Sequence, residues 1–382
     1  MGGAAKHLMQ LHHDHELPMF EIQEIFSQAA RGEIKFYEKL DGMNIVFTWK
    51  DGLRYARNEG DKCNGGMDRN ALVEKFRGRD KVEKAFLESY DFLFNVLENI
   101  EYKEQIFNSG RRWFSAEILG PINPNIIHYD RKSIVIHRTQ LDSSDELFES
   151  FLLAFLHNLE KIPQTTDGWR ISGPAEVQAR KMSKKELAQF NNRLNELVRS
   201  MTGYWMRCTV QDFTWSAVNN ICKEKDLKSA CALYVTDRIV GKENCKDLRT
   251  LKKEFPHQAR VIDELVKDDW NVFKSAQEPL NKLVNDFATS LLKGVKSSQI
   301  VNNEAEVQRL RKVTSEKIDE LSKSDNPKVI QFLEEQLFQL VSVKNIDTPV
   351  EGVVFDYKGK TYKFTGSFAS ANRILGYGRY PH

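Results

Sequence analysis

Long apolar runs are missing from this 382-residue chain. No stretch approaches the roughly 18 uncharged apolar residues that span a bilayer. Net charge is nearly missing too. Fifty-six Lys and Arg stand against 54 Asp and Glu, a formal +2. Bulk electrostatics of the histone kind is thereby excluded, and any hold on an anionic polymer must come from local patches. Cysteine is scarce. Cys63, Cys208, Cys222, Cys231 and Cys245 are odd in number and contain no C-x-x-C pair, which fits reduced thiols better than a disulfide frame or a zinc site. The start Met1-Gly2-Gly3-Ala4-Ala5-Lys6 lacks the apolar core of a signal peptide, and Lys6 spoils the myristoylation pattern. A cytoplasmic chain with no membrane partner is expected. What is present is 41% hydrophobic residues and 10% aromatics, enough to bury a sizeable core and too much for disorder over most of the chain.

Two textures alternate along the sequence. Residues 34–39, 44–49 and 53–57 are β-rich runs broken by Asp41-Gly42 and by Asp51-Gly52, the latter a pair that favours a type I′ turn, so three antiparallel strands are predicted. Val82, Phe86, Tyr90, Leu93, Phe94 and Leu97 recur at offsets of three and four, the spacing of one helical face. Strands are predicted at 113–119, ended by Gly120-Pro121, and at 132–137. From about Ser143 the pattern turns helical and stays so. Leu187, Phe190, Leu194, Leu197 and Met201 make one stripe; Val329, Ile330, Leu333, Leu337, Leu340 and Val341 make another, with Asn326-Pro327 suited to its start. Strand texture returns at 350–366. Neither strand zone is large enough to fold alone. The simplest organisation is an α+β protein: an antiparallel-sheet core in residues 1–140 and 347–382, interrupted by a helical insertion at 141–346.

The sharpest local feature is Glu38-Lys39-Leu40-Asp41-Gly42, a lysine at a strand end with a carboxylate two residues on and a turn glycine next to it. A protonated amine is a poor nucleophile, and at an ordinary pKa of about 10.4 only roughly one molecule in a few thousand is neutral at pH 7. A second cation nearby would lower that pKa, and Lys363 is the candidate neighbour. Read alone, Lys-x-Asp-Gly also fits an exposed hairpin turn. Further along come Arg57 at the end of the next hairpin, Glu117 in an apolar strand, Glu351 before Gly352, and Lys363 between Tyr362 and Phe364. Arg57 equally fits a solvated strand end, Glu117 an outward-facing carboxylate, and Lys363 the wet face of an edge strand. Glu351 sits in a run that looks buried, where a carboxylate is costly unless paired or bound to metal.

Taken in order, Lys39-Leu40-Asp41-Gly42, Arg57, Ala116-Glu117, Glu351-Gly352-Val353 and the Lys363 strand resemble the motifs of the covalent nucleotidyltransferase superfamily, the polynucleotide ligases and messenger-RNA capping enzymes. The resemblance covers roughly 30–140 and 348–366. It implies a ligase adenylation core related to the ATP-grasp arrangement, in which Lys39 forms a phosphoramide with the nucleoside monophosphate. Glu38, Asp41, Gly42, Arg57, Glu117, His137 and Lys363 would then contribute to nucleotide binding. Glu117 would take the ribose hydroxyls, Arg57 the ribose or triphosphate, and Lys363 the α-phosphate. Glu351 would bind or orient a metal ion. ATP and Mg²⁺ are the implied cofactors; Mg²⁺ suits a site of few carboxylates shared with water and phosphate. In the family the last motif carries two lysines one residue apart, whereas here Lys363 is followed by Phe364 and Lys360 lies three positions earlier. The ring that would stack on the base is either His137 or Tyr129.

Only residues 367–382 follow Gly366, too few for the five-stranded OB barrel of DNA ligases and capping enzymes, so the expectation is no such barrel and an RNA substrate in preference to DNA. Compact size with an unusual insertion is compatible with a viral origin, in which case the cytoplasm is the host's. A DNA nick ligase, an RNA-capping guanylyltransferase and a catalytically silent nucleic-acid-binding protein are the rival readings. Within the insertion, Arg180-Lys181, Lys184-Lys185, Lys252-Lys253 and Arg309–Lys312 accompany Trp169, Trp205, Trp215 and Trp270. Such clusters fit either backbone and base contacts or a solvated helix face over a core. His12-His13-Asp14-His15-Glu16 lacks a second cluster to complete a metal-ligand set and reads as a solvated segment.

Overall fold

The computed structural model describes residues 8–121, 125–138, 145–161, 168–199, 207–241, 247–333 and 346–377. Helices and strands are both present, and the chain divides into two compact units. One is built around the described residues within 35–178 and 292–377, together with Leu8; the other takes those within 9–34 and 179–291. This differs from the expected insertion at 141–346. Strand pairing draws the chain up to 178 into the strand-bearing unit, which it rejoins at 292, and the helical unit recruits residues 9–34.

In the strand-bearing unit, β1 (Phe36–Lys39), β2 (Met43–Trp49), β3 (Leu53–Ala56), β4 (Phe114–Leu119), β5 (Lys132–Ile136), β6 (Trp169–Ser172), β7 (Glu176–Val177), β8 (Gly352–Tyr357) and β9 (Lys360–Phe364) form two sheets. Their orders are β7-β1-β8-β9 and β3-β2-β4-β5-β6. All pairs are antiparallel except β5–β6, which run parallel with Ile134 opposite Ile171. The expected three-stranded meander over 34–57 is therefore only half present. Asp51-Gly52 does turn β2 into β3, with φ of 52° and 115°. Asp41-Gly42 makes no hairpin: β1 pairs with β8, and between Lys39 and Met43 the chain passes from one sheet to the other. The expectation of unbroken helix after Ser143 also fails, because β6 and β7 follow the helix α2 defined below.

Period-two alternation explains the core of the larger sheet. Met43, Ile45 and Phe47 of β2, Phe114, Ala116 and Ile118 of β4, Ile134 and Ile136 of β5, and Trp169 and Ile171 of β6 join one buried cluster with helices α1 (Asp80–Glu98) and α2 (Phe148–Lys161). The predicted stripe of α1 is what it buries: Phe86, Tyr90, Leu93 and Leu97. On the opposite face of that sheet, Leu119 and Val135 pack with Ile126, Ile127 and Tyr129, with Leu310 of α3 (Asn303–Leu321) and with Phe368, Ala371 and Ile374 of α4 (Phe368–Gly376). In the smaller sheet Phe36 lies 5.5 Å from Phe355, which lies 4.7 Å from Phe364, so one face of β1, β8 and β9 is aromatic core. The alternate residues Tyr37, Lys39, Val354 and Lys363 are thereby left on the other face.

The helical unit holds the helices Met19–Arg31, Lys184–Arg199, Val210–Glu224, Ser229–Val240, Ala259–Lys267 and Asp269–Leu291. Phe26 stacks on Phe287 at 3.9 Å, with Phe190 edge-on to Phe287. Leu187, Phe190, Leu194 and Leu197 lie on one helix, Lys184–Arg199, as predicted; Met201 lies outside the described residues, as do Trp205 and the part of the predicted helix beyond residue 333.

Candidate active site

The two sheets face each other across a cavity of about 230 Å³. From the smaller sheet it is lined by Tyr37, Glu38, Lys39, Val354, Asp356, Thr361 and Lys363; from the larger by Asn44, Ser115, Glu117, His137 and Arg138. Lys39 reaches it because β1 ends there and the odd positions of that strand point away from the aromatic core. Its Nζ lies 2.5 Å from Oε1 of Glu351, with the two side chains 20% and 16% exposed.

Burial pulls the Lys39 amine down, yet the charges of Glu351, Glu117 and Asp41 outweigh it and leave the group above its ordinary value. The expected lowering of Lys39 by Lys363 is thus reversed: Lys363 is the amine that is depressed, by burial first and by the Lys39 charge second. Lys363 pairs in register with Val354, and Val354 with Tyr37, so three neighbouring strands carry the two lysines. Lys360 stands at the far end of the β8–β9 hairpin, opposite Tyr357, and does not line the cavity.

Glu117 enters from β4, where it is registered with Asn44. Asn44 Nδ2 approaches Oε1 at 3.5 Å, and His137 Nε2 lies 3.6 Å from the same oxygen. Oε2 of Glu117 is buried and has no hydrogen-bond partner among the described residues. Gly42 is required beside it, since a Cβ there would meet that oxygen at 2.6 Å and Leu119 Cδ2 at 2.7 Å. Gly42 is therefore a close-approach position against Glu117, and it does not line the cavity.

Three other residues assigned to the nucleotide stand differently. Glu38 borders the cavity, but its Oε2 accepts from the backbone N–H and hydroxyl of Ser298 at 3.1 and 2.9 Å. Asp41 is turned from the cavity, its Oδ2 accepting from the N–H groups of Ile126 and Ile127 at 2.7 and 3.0 Å. Burial, helped by the charge of Glu351, pushes its carboxyl up to about 6. Arg57 lies beyond β3, its guanidinium 5.1 Å from the centre of the Phe86 ring on the α1 side of the larger sheet, and does not line the cavity. Of the two candidate stacking rings, His137 lines the cavity. Tyr129 is 2% exposed in the core, where its hydroxyl accepts from Asp41 N–H at 2.8 Å. Among the lining residues that the sequence did not announce are Tyr37, Asn44, Ser115 and Arg138. Alternation from Lys39 would have found Tyr37, and alternation from Glu117 would have found Ser115.

Among the described residues no group of three or more His, Cys, Asp or Glu is arranged to hold a metal. The carboxylate of Glu351, paired with the Lys39 amine, is of the donor type that suits a hard cation taking few protein ligands and completing its shell with water and phosphate oxygen, as Mg²⁺ does. The basic clusters of the sequence are partly consumed internally. Arg180 pairs with Glu186, Lys252 with Asp263 and Arg309 with Glu306. Trp169 is core and Trp215 donates to Asp237, while Trp270 is 66% exposed. His12 and Asp14 are buried while His13, His15 and Glu16 are exposed, so the histidine run is the solvated segment expected only in part. No described helix is long and apolar enough to cross a membrane. In comparisons with protein-family models, curated proteins and solved structures, the chain matches none.

Proposed function

We propose that the chain is a covalent nucleotidyltransferase, an ATP-dependent polynucleotide ligase acting on RNA. The observation that carries the reading is that the Lys39 amine, the Glu117 carboxylate and the Lys363 ammonium, from three separate strands, line one cavity, with the Glu351 carboxylate paired to the Lys39 amine. In this reading the Lys39 Nζ lone pair forms a bond to the α-phosphorus of ATP. The bridging P–O bond breaks, pyrophosphate leaves with its electrons, and the amine sheds its protons to solvent. Nucleotidyl transfer asks chiefly for in-line placement and for cations to spread growing negative charge. Lys363 supplies one such cation, and Glu117, which lines the cavity, accepts from the ribose hydroxyls. When bound, Mg²⁺ would neutralise triphosphate charge, with Glu351 as its protein ligand. Lys39 cannot attack while its ammonium is paired with Glu351, so drawing that carboxylate away frees the nucleophile. AMP then passes to a 5′-phosphate, and a 3′-hydroxyl displaces it to close the strand.

The acceptor polymer is carried over from the resemblance to ligases of RNA, and ATP from its frequency as their nucleotide. Incubation with α-labelled ATP and Mg²⁺ followed by denaturation should leave label on the wild type and none on Lys39→Ala. Label from GTP alone would favour a capping guanylyltransferase, sealing of nicked DNA but no RNA would change the substrate, and no label from any nucleoside triphosphate would sink the reading.

A further inference from the structure

We propose that residues 297–309 form a positioning clamp that holds the strand end bearing Lys39 from both flanks. The clamp rests on the ligase reading for its purpose but not for its geometry. On one flank, Glu38, only 3% exposed, gives its Oε2 to the N–H and hydroxyl of Ser298. On the other flank the grip is indirect. Asp41 is held on three sides by residues 125–129: its carboxylate by the Ile126 and Ile127 N–H groups, its carbonyl by Asn125 Nδ2 at 2.9 Å, and its N–H by the Tyr129 hydroxyl.

That loop is in turn fastened to α3. Glu306, 5% exposed, accepts from His128 N–H at 2.9 Å, and Arg309 donates both to Glu306 and to the carbonyl of Ile126. Asp130 accepts from Val301 N–H at 2.9 Å. The clamp's own start is tied by Asn303, which accepts from Ser297 N–H at 2.6 Å and donates to the carbonyls of Ser297 and Ile300.

A buried carboxylate such as Glu306 costs stability unless its lone pairs are filled, and here they are filled by one backbone N–H and one guanidinium. Neither Glu306 nor Arg309 lines the cavity, so both act through the backbone at Lys39 and are positioning residues. The leverage is geometric. A nucleophile displaced by about 1 Å from its line of attack can lose on the order of a hundredfold in rate.

The test compares full-length wild type, Glu306→Gln and Ser298→Ala in two measurements. One is amide hydrogen exchange of peptides covering 38–44 without nucleotide; the other is the single-turnover rate of Lys39 labelling from α-labelled ATP. For Glu306→Gln, exchange at 38–44 should quicken and labelling at saturating ATP should slow, each on the order of tenfold, with the ATP KM held within about twofold. Ser298 is exposed, so Ser298→Ala keeps the fold and should move both readouts in the same direction by a smaller factor. Exchange at 38–44 unchanged in both variants overturns the clamp, even where 125–130 loosens. A wild type that takes no label while exchange at 38–44 quickens in the variants sinks the ligase reading and supports the clamp. Unchanged exchange with normal labelling in all three proteins does the reverse.

Discussion

An alanine at position 352 would place its Cβ 2.1 Å from the carbonyl oxygen of Phe364 and 2.9 Å from Thr365 Cα. Both are backbone atoms, so no side-chain rotation relieves the clash, and β8 must part from β9 one residue after Glu351. Gly352→Ala should lower stability in chemical denaturation by about 1–3 kcal/mol and abolish Lys39 labelling; an unchanged midpoint would show that the strands are not so close. Asp41 makes a different prediction. Its carboxyl is raised to about 6 in the folded protein against an ordinary value of 3.8. Across that window the native state binds the proton and the unfolded chain releases it, so the stability owed to this group is present below the window and lost as pH rises through it. Asp41→Asn keeps an acceptor for Ile126 and Ile127 but cannot ionise. Its stability relative to wild type should therefore climb by roughly 2–3 kcal/mol between pH 4 and 7, and a difference that does not vary with pH would rule out the raised carboxyl.

Element boundaries were legible where the signal is local. The helix Asp80–Glu98 follows from one apolar stripe, and the β2–β3 hairpin from Asp51-Gly52. Capping is equally local. Thr209 and Asp212 form a reciprocal box at the start of the helix Val210–Glu224, Thr209 Oγ1 accepting from Asp212 N–H and Asp212 from Thr209 N–H. Thr209→Ala should cost about 1 kcal/mol in thermal or urea unfolding, and no loss would show that the frayed first turn is stable without its cap. What was not legible is partner choice. Leu40-Asp41-Gly42 has a hairpin's composition, yet β1 takes its long neighbour from residues 352–354, where Val353 opposes Glu38 and Gly352 opposes Lys39. β6 and β7 escaped notice because they span four and two residues, and a parallel pair such as β5–β6 needs no turn signal.

Across the whole molecule, the site was readable to the extent that its residues lie on or beside strands. Lys39, Glu117, His137 and Lys363, named from motif and context, line one cavity, and Glu351 pairs with Lys39 beside it. Arg57 was misplaced because a strand end alone does not say which side of a sheet its side chain takes, and Asp41 because its backbone donors lie eighty-odd positions away in 126–127. Arg138, which donates to the Tyr37 hydroxyl at 2.9 Å and pairs with Glu149, could not be seen at all without knowing that the sheets face each other.

The smaller sheet also bears on synthesis. β1 precedes β8 by more than three hundred residues, and until the ribosome has passed residue 357 its neighbour is the two-residue β7. A nascent chain exposes that unpaired edge through more than three hundred codons of elongation, the condition under which strands pair wrongly or recruit chaperones. Lys39 thus gains its Glu351 partner and its Lys363 neighbour only after residues 351–363 have been made.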